Sequence, residues 1–407
     1  MLNEPGMKAA KILSENRKYR IDVGFSNLAA AHGSGCYLID ANNNRFLDFH
    51  SNYSTNNVGY GNPEIGEVIR EHSKKGIFKV DGSATVLEEA LILAKKLASH
   101  LPKGLRKSLF VNSGAEAVEN AMKLVYLKKG PLGGVSVKGS FHGRTIGALS
   151  YTSSKAIQKK FFPVLVHHEL DFCGEKGYCN FRDLEDLISR EFTPAFVIIE
   201  CIQGEGGYRP MGREFVKYLR KITKERNIAF IIDEVQSGMG RTGKWWSFEH
   251  YDVVPDIMTT GKSLQVGATI VGKKYDMKKS ERGAIGTTWG GGQLIDLAVG
   301  AKVIEIIEKQ SLLKNAERMG DYIQKRFREI QLKYPQKIID VRGKGLMIGV
   351  EIDNAKRRKK IIDAAFKEKL LLLGCGEKTI RIAPPLIIDR ETTDKGIRII
   401  ESLLKKY

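Results

Sequence analysis

Between residues 108 and 260 the chain alternates short apolar runs with stretches of helical spacing, and that alternation leaves few folds open. Residues 108–111, 134–137, 164–166, 195–200, 229–233 and 257–260 read as strands, and 114–127 as the first of the helices between them. Strands buried on both faces appear as unbroken apolar runs instead of alternating ones. Strand–helix alternation of this kind implies an α/β fold, a mostly parallel sheet covered on both sides. Ligands in such sheets bind at the carboxyl ends of the strands. Polar residues that finish an apolar run are therefore the first candidates for function.

The flanking segments have a different texture. A helix is expected over 8–17, and a hairpin over 35–40 and 45–48 around Asn42-Asn43-Asn44. Residues 51–63, SNYSTNNVGYGNP, form a polar, turn-rich loop carrying Tyr53 and Tyr60, and helices follow at 63–73 and 85–99. Beyond the glycine-rich stretch 283–292 comes a long helix, 294–309. A smaller α+β region then holds a helix at 315–333, strands near 338–342 and 346–352, a helix at 355–369 and an apolar segment at 379–382. The most economical division is a large domain, 51–293, and a small domain built from both chain ends, 1–50 and 294–407.

A chain of 407 residues is too long for one simple core, which supports that division. Hydrophobic content of 42% and charged content of 28% are those of a soluble protein. There is no signal-peptide core and no apolar run near the roughly 20 residues a membrane span needs, so a cytoplasmic protein with no membrane partner is expected. The net charge of +19 raises nucleic acid as a partner, but lysines and arginines are interleaved with acids throughout. Only 356–360, KRRKK, is concentrated, and it reads as a solvated helix face, so no nucleic-acid partner is expected. The five cysteines lack paired spacing and read as reduced thiols, not as a disulfide frame or a metal site. Cys173 and Cys179 are near enough in sequence to bridge, but a loop with free thiols is the expectation.

Six places carry residues that packing alone does not explain. The run 229–232 ends on Asp233-Glu234, two acids where a buried strand should stop. The run 257–260 delivers Lys262 after a glycine. A carboxylate at such a position is badly desolvated unless a positive charge or hydrogen-bond donors meet it. An acid and a lysine converging from neighbouring strand ends suit a pyridoxal phosphate site. There the lysine condenses with the aldehyde, and the acid keeps the pyridine nitrogen protonated so that the ring can act as an electron sink. The plainer reading is a pair of ordinary strand-end charges. Ser113-Gly114-Ala115 sits between a strand and a helix, where small residues let backbone N–H groups close on a phosphate; an ordinary N-cap at Ser113 is the alternative. In Ser140-Phe141-His142-Gly143-Arg144, Phe141 could stack on a flat ring and Arg144 could take a carboxylate, although such residues are often core and surface. Glu200 and Glu205 stand among glycines with Gln203 at another strand end. Arg381 lies in an apolar, proline-stiffened segment, and a half-buried arginine wants a carboxylate.

Taken in order, NSGAEAVENAMK, SFHGRTIGALS, ECIQGEGGY, IIDEVQSGMGRTGKWWSFEH, PDIMTTGK, TTWGGG and IRIAPPL resemble the motifs of the class III PLP-dependent aminotransferases of fold type I. The resemblance covers almost the whole chain. It implies a large domain with a mostly parallel seven-stranded sheet between helices, a smaller α+β domain, and a homodimer with active sites at the interface. Carried over by motif, Lys262 would be the Schiff-base lysine and proton shuttle, and Asp233 the partner of the pyridine nitrogen. Gln236 would bond the phenolic oxygen, Phe141 and Val235 would sandwich the ring, and His142 would join the cofactor site. Ser113, Gly114 and Ala115 would hold the phosphate, helped by the partner subunit's Thr288. Arg381 would bind the α-carboxylate of glutamate or 2-oxoglutarate, and Glu205 would pair with Arg381 while an ω-amino substrate is bound. Arg144 would hold the far carboxylate.

The implied activity moves the terminal amine of 4-aminobutyrate, ornithine or lysine to 2-oxoglutarate. Several positions depart from the pattern. Cys201 replaces a usual proline, SLQVGAT replaces a glycine-rich stretch, and TWGGGQ lacks the common Asn-Pro. The TWGG and LQVGA forms resemble L-lysine 6-aminotransferases, whereas Tyr53 resembles the carboxylate-binding tyrosine of ornithine aminotransferases. A racemase of the same family is the competing reading.

Overall fold

The apolar runs assemble into one seven-stranded sheet in a computed structural model that describes residues 7–24, 26–176, 179–189 and 193–407. The strand order is Lys107–Val111, Gly267–Val271, Ile257–Thr260, Ala229–Asp233, Phe196–Ile199, Gly134–Val137, His167–Leu170. Gly267–Val271 runs antiparallel to both of its neighbours, and the other pairings are parallel. Alternation along Ala229–Asp233 sends Phe230 and Ile232 to one face of the sheet and Ile231 to the other. On that second face Ile231 packs with Val118, Met122 and Val125 of the helix Gly114–Lys129. A strand repeats every two residues, so Asp233 points to the same side as Ile231, toward the start of that helix.

The expected strand at 164–166 is displaced. Val164, Leu165 and Val166 are exposed, and the strand is His167–Leu170, paired with Gly134–Val137 at the sheet edge. The physical reason is the edge position, where only one side is paired, so the polar His167-His168-Glu169 is admissible in the ladder. The apolar triplet leads into it, held by Leu165 N–H on Ser150 Oγ (2.8 Å).

Both chain ends build the remainder. The strands Ala30–Ser34, Tyr37–Asp40 and Arg45–Asp48 form an antiparallel meander, and Leu370–Leu371 adds in parallel beside Arg45–Asp48. A second antiparallel sheet orders Ile338–Lys344, Met347–Ile352, Thr379–Ile382 and Leu373–Cys375. The basic run 356–360 lies on the helix Ala355–Lys367, where Arg357 pairs with Asp353 and Lys359 with Asp363. Among the described residues, no helix is long and apolar enough to cross a membrane.

Two further features depart from expectation. Cys173 and Cys179 are joined by a disulfide, with Cα atoms 5.1 Å apart, which corrects the reading of all five cysteines as free. The chain folds back there because Gly174 bridges to Met211, and Gly212 N–H donates to Cys173 C=O (2.9 Å). Cys36, Cys201 and Cys375 are free and buried. The second departure is the expected loop after residue 50. It opens with a left-handed turn, Ser51–Ser54, whose φ values of 39°, 49°, 60° and 67° fall on residues with side chains. Each such residue costs about 1 kcal/mol or more. Among the contacts that hold the turn are Thr55 N–H on Ser51 C=O (2.9 Å), Ser51 Oγ on Ala383 C=O (2.8 Å), and Arg241 Nη2 on Ser51 Oγ (3.1 Å). Arg241 is fully buried and also donates to Asn57 Oδ1, Leu346 C=O and Pro384 C=O. One guanidinium thus ties the middle of the chain to segments from both of its ends.

Candidate active site

The neighbouring strand ends bring Asp233 beside Thr259, and the register between the two strands is direct. Thr259 Oγ1 and the Val235 N–H each donate to Asp233 Oδ1 at 3.0 Å, and His142 Nδ1 meets Oδ2 at 2.8 Å. Both oxygens are therefore occupied by donors, as a buried carboxylate requires. Because the partner is an acceptor, the His142 proton is assigned to Nδ1, and Nε2 remains buried without a partner.

Lys262 follows Ile257–Thr260 after Gly261, with its backbone in the left-handed region (φ 46°). Its half-buried ammonium has no hydrogen-bond partner among the described residues. Burial lowers its pKa from 10.5 to about 8; Asp233 opposes that shift and the Arg381 charge adds to it. A lysine in this environment, with no structural bond of its own, is a candidate for a reacting amine.

Around this pair the chain is packed closely. Ser113 caps the helix Gly114–Lys129, its Oγ accepting from Glu116 N–H (3.2 Å). A Cβ on Gly114 would stand 2.6 Å from Val235 Cγ1, so only glycine lets the helix start approach that side chain. Gly143, at φ 139°, lies against Ala115 in the same way. Phe141 is fixed through its N–H on Glu200 Oε1 (2.8 Å), and Gly204 N–H bonds the other oxygen of Glu200 (2.9 Å). Burial pushes the Glu200 carboxyl up to about 7; His142 opposes the shift, while the Asp233 charge adds to it. Gln236 donates to Tyr53 C=O (3.4 Å) and leaves its amide oxygen buried and unpaired.

The mouth of the site is an ion pair. Arg381 Nη2 donates to Glu205 Oε1 (2.6 Å) and to Gly374 C=O (2.9 Å). The rings of Tyr53 and Tyr208 lie 5.0 and 5.4 Å from the guanidinium, while Nε and Nη1 have no partner. Burial opposes charge on Glu205, but Arg381, with Lys155 and Lys262, holds its carboxyl below the usual range. Arg144 is exposed, with its guanidinium 5.9 Å from the Phe141 ring.

The structure therefore gathers Asp233, His142, Val235, Gln236, Lys262, Ser113, Gly114, Ala115, Phe141, Glu205, Arg381 and Tyr53, with Arg144 at the edge. Thr288 stands on an exposed loop, its carbonyl accepting from Gly82 N–H (3.1 Å), and takes no part in the hydrogen bonds of the cluster. Sequence reasoning missed Tyr208, whose one signal is its place directly after the glycines of ECIQGEGGY. It also gave Glu200 no role, although Glu200 holds two loops of the site.

These groups fit pyridoxal 5′-phosphate. They offer a carboxylate held by donors on both oxygens for the ring nitrogen, an unbonded amine for the aldehyde, and an amide with one end unpaired. Phe141 and Val235 supply apolar contacts, and the helix start supplies N–H groups without intrahelical partners for the phosphate.

Residues 21–404 match the family described as aminotransferase class-III. The acetylornithine aminotransferase of Archaeoglobus fulgidus is 35% identical over 371 residues, covering 90% of this chain and 93% of that protein. The acetylornithine aminotransferase of Caldanaerobacter subterraneus is 33% identical over 406 residues, covering 97% and 99%. Among solved structures, the lysine aminotransferase from M. tuberculosis in the internal aldimine form superposes with a TM-score of 0.91 at 26% identity, covering 98% of this chain and 99% of that one.

Proposed function

Because the chain belongs to the class III aminotransferases, which are PLP-dependent, we propose that it is an ω-aminotransferase that passes the terminal amine of a diamino acid, an acylated diamino acid or 4-aminobutyrate to 2-oxoglutarate. The observation that carries this reading is the buried Glu205–Arg381 pair at the mouth of the Lys262 site. An ω-amino substrate brings no carboxylate beside its reacting amine, so Glu205 masks the arginine while that substrate is bound. Glutamate and 2-oxoglutarate do bring one, and they take Arg381 when Glu205 leaves. One pocket thereby accepts two unlike substrates in turn.

Bound pyridoxal phosphate supplies the carbonyl that takes up the amine and the ring that draws off electrons from the amine-bearing carbon. The protein's own groups do the rest. Asp233 presents a fixed negative charge to the ring nitrogen, oriented by Thr259, Val235 and His142. With a pKa of about 8, Lys262 is roughly a tenth neutral at pH 7, against fewer than one in a thousand for an ordinary lysine. It can therefore take a proton from the amine-bearing carbon and return it. Arg144 and Tyr53 are the groups for the far carboxylate of the donor. The relatives named for acetylornithine favour a donor of the ornithine type, free or acylated. Assembly as a homodimer, with Thr288 lent to the partner's phosphate site, belongs to the same reading.

The test is a single-turnover screen of the PLP-loaded protein with N-acetylornithine, ornithine, lysine, 4-aminobutyrate, and D- and L-alanine, following semialdehyde or keto-acid product. Semialdehyde from an ornithine-type donor, followed by glutamate on adding 2-oxoglutarate, is the expected result. Exchange of alanine enantiomers without net amine transfer would move the protein to the racemases.

A further inference from the structure

Glu205 faces two cations of unequal standing. Its Oε1 meets Arg381, whose side chain is 1% exposed, and its Oε2 stands 3.7 Å from the ammonium of Lys155, which is 49% exposed. Arg381 cannot follow Glu205 outward, because it is fastened to Gly374 C=O and held between the rings of Tyr53 and Tyr208. The backbone of Glu205 is equally fixed. Its carbonyl accepts from Gly376 N–H (2.7 Å), Gly204 N–H is bound to Glu200, and a Cβ on Gly206 would stand 2.5 Å from Gly139 C=O. Only the Glu205 side chain can swing.

When a substrate carboxylate takes Arg381, the Glu205 carboxylate, 15% exposed in the pair, must find another positive charge or bear a desolvation penalty. Lys262 is the other ammonium whose charge reaches Glu205, and it serves the reaction itself. Lys155 has no such duty. Its backbone is set by the preceding turn, where Ser153 and Ser154 N–H both donate to Ser140 C=O (2.8 and 3.1 Å), while its own side chain is free to close 3.7 Å into a contact pair.

We propose that Lys155 receives the Glu205 carboxylate when it leaves Arg381, making Lys155 a positioning residue for the dicarboxylate half of the reaction. The inference rests on the reading of Glu205–Arg381 as a gate. It assigns the open gate a counter-ion and predicts that the two halves of the reaction respond differently to one exposed lysine.

The experiment uses the PLP-loaded protein, with glutarate as a non-reacting dicarboxylate titrated calorimetrically, and KM values for 2-oxoglutarate and for the amine donor. Lys155→Met should weaken glutarate binding and raise the KM for 2-oxoglutarate about three- to fivefold, the range of a partly exposed ion pair. The KM for the amine donor should stay within about twofold, and Lys155→Arg should restore both dicarboxylate values. Placed on Glu205→Gln, Lys155→Met should have no further effect. An undiminished effect on that background would show Lys155 touching the ligand directly and overturn the proposal. Equal losses in both halves, or none, would overturn it too. Failure of the gate itself reads differently: Glu205→Gln alone would then leave glutarate binding unchanged, where the gate requires it to tighten.

Discussion

Replacing Lys262 by methionine should make the cofactor-free protein more stable while removing its activity. The folded protein lowers the ammonium pKa from 10.5 to about 8. At 1.36 kcal/mol per unit, the charged lysine therefore weakens the fold by about 3 kcal/mol, an upper figure since the side chain is only half-buried. The pH course follows from the direction of the shift. Below pH 8 both folded and unfolded chains carry the proton, and the full penalty is present. Between 8 and 10.5 the unfolded chain binds more protons than the folded one, so wild-type stability rises with pH. Above 10.5 the penalty is gone. Methionine has nearly the same length and no charge, so urea unfolding of the two cofactor-free proteins should show Lys262→Met ahead by up to about 3 kcal/mol at pH 7. The gap should shrink through pH 9 and close near 10.5. A variant no more stable than wild type at pH 7, or a gap that ignores pH, would refute the assignment of Lys262 as a destabilised, unpaired amine.

Three further outcomes are expected. Asp233→Asn exchanges the fixed negative charge for a neutral amide and should lower kcat/KM by roughly 10²-fold or more, with the fold intact by circular dichroism; near-normal turnover would remove Asp233 from the chemistry. Gly114→Ala places a Cβ 2.6 Å from Val235 Cγ1 and should weaken pyridoxal phosphate retention about tenfold in equilibrium dialysis. A second change, Val235→Ala, should recover most of that loss, and no recovery would mean the contact is not the cause. Arg241→Met leaves the acceptors on Ser51, Asn57, Leu346 and Pro384 unpaired and should lower unfolding stability by about 3 kcal/mol. A change below 1 kcal/mol would show that the guanidinium is not what holds the Ser51–Ser54 turn.

How far the site is legible in the sequence depends on the range of the force that builds each part. Asp233 and Lys262 stand out because a charge at the end of an apolar run contradicts the run itself, and the contradiction is visible within a few residues. The phosphate loop and the Phe141 segment are legible for the same local reason, a strand handing over to a helix through small residues. The helix Leu294–Lys309 and the strand Thr379–Ile382 end where their apolar spacing ends. Gly267–Val271 has no comparable punctuation, since it turns back antiparallel directly after the lysine turn. Cys173 and Cys179 look like unpaired thiols until Gly174 is bridged to Met211, a contact 37 residues away (211 − 174).

The left-handed Ser51–Ser54 turn is the hardest case, because it contains no glycine and its own residues disfavour it. What stabilises it lies elsewhere in the chain, in Arg241 and in Ala383. Arg241 lies among the glycines of GMGRTG, where sequence reasoning assigned it no role, yet it is fully buried and bonded only to neutral acceptors, and burial lowers its pKa to about 10. A cation without a counter-ion stays in a core only if its bonds hold something together. Here they hold the turn that sets Tyr53 over Arg381, so the residue the sequence advertises least is one on which the substrate end of the site depends.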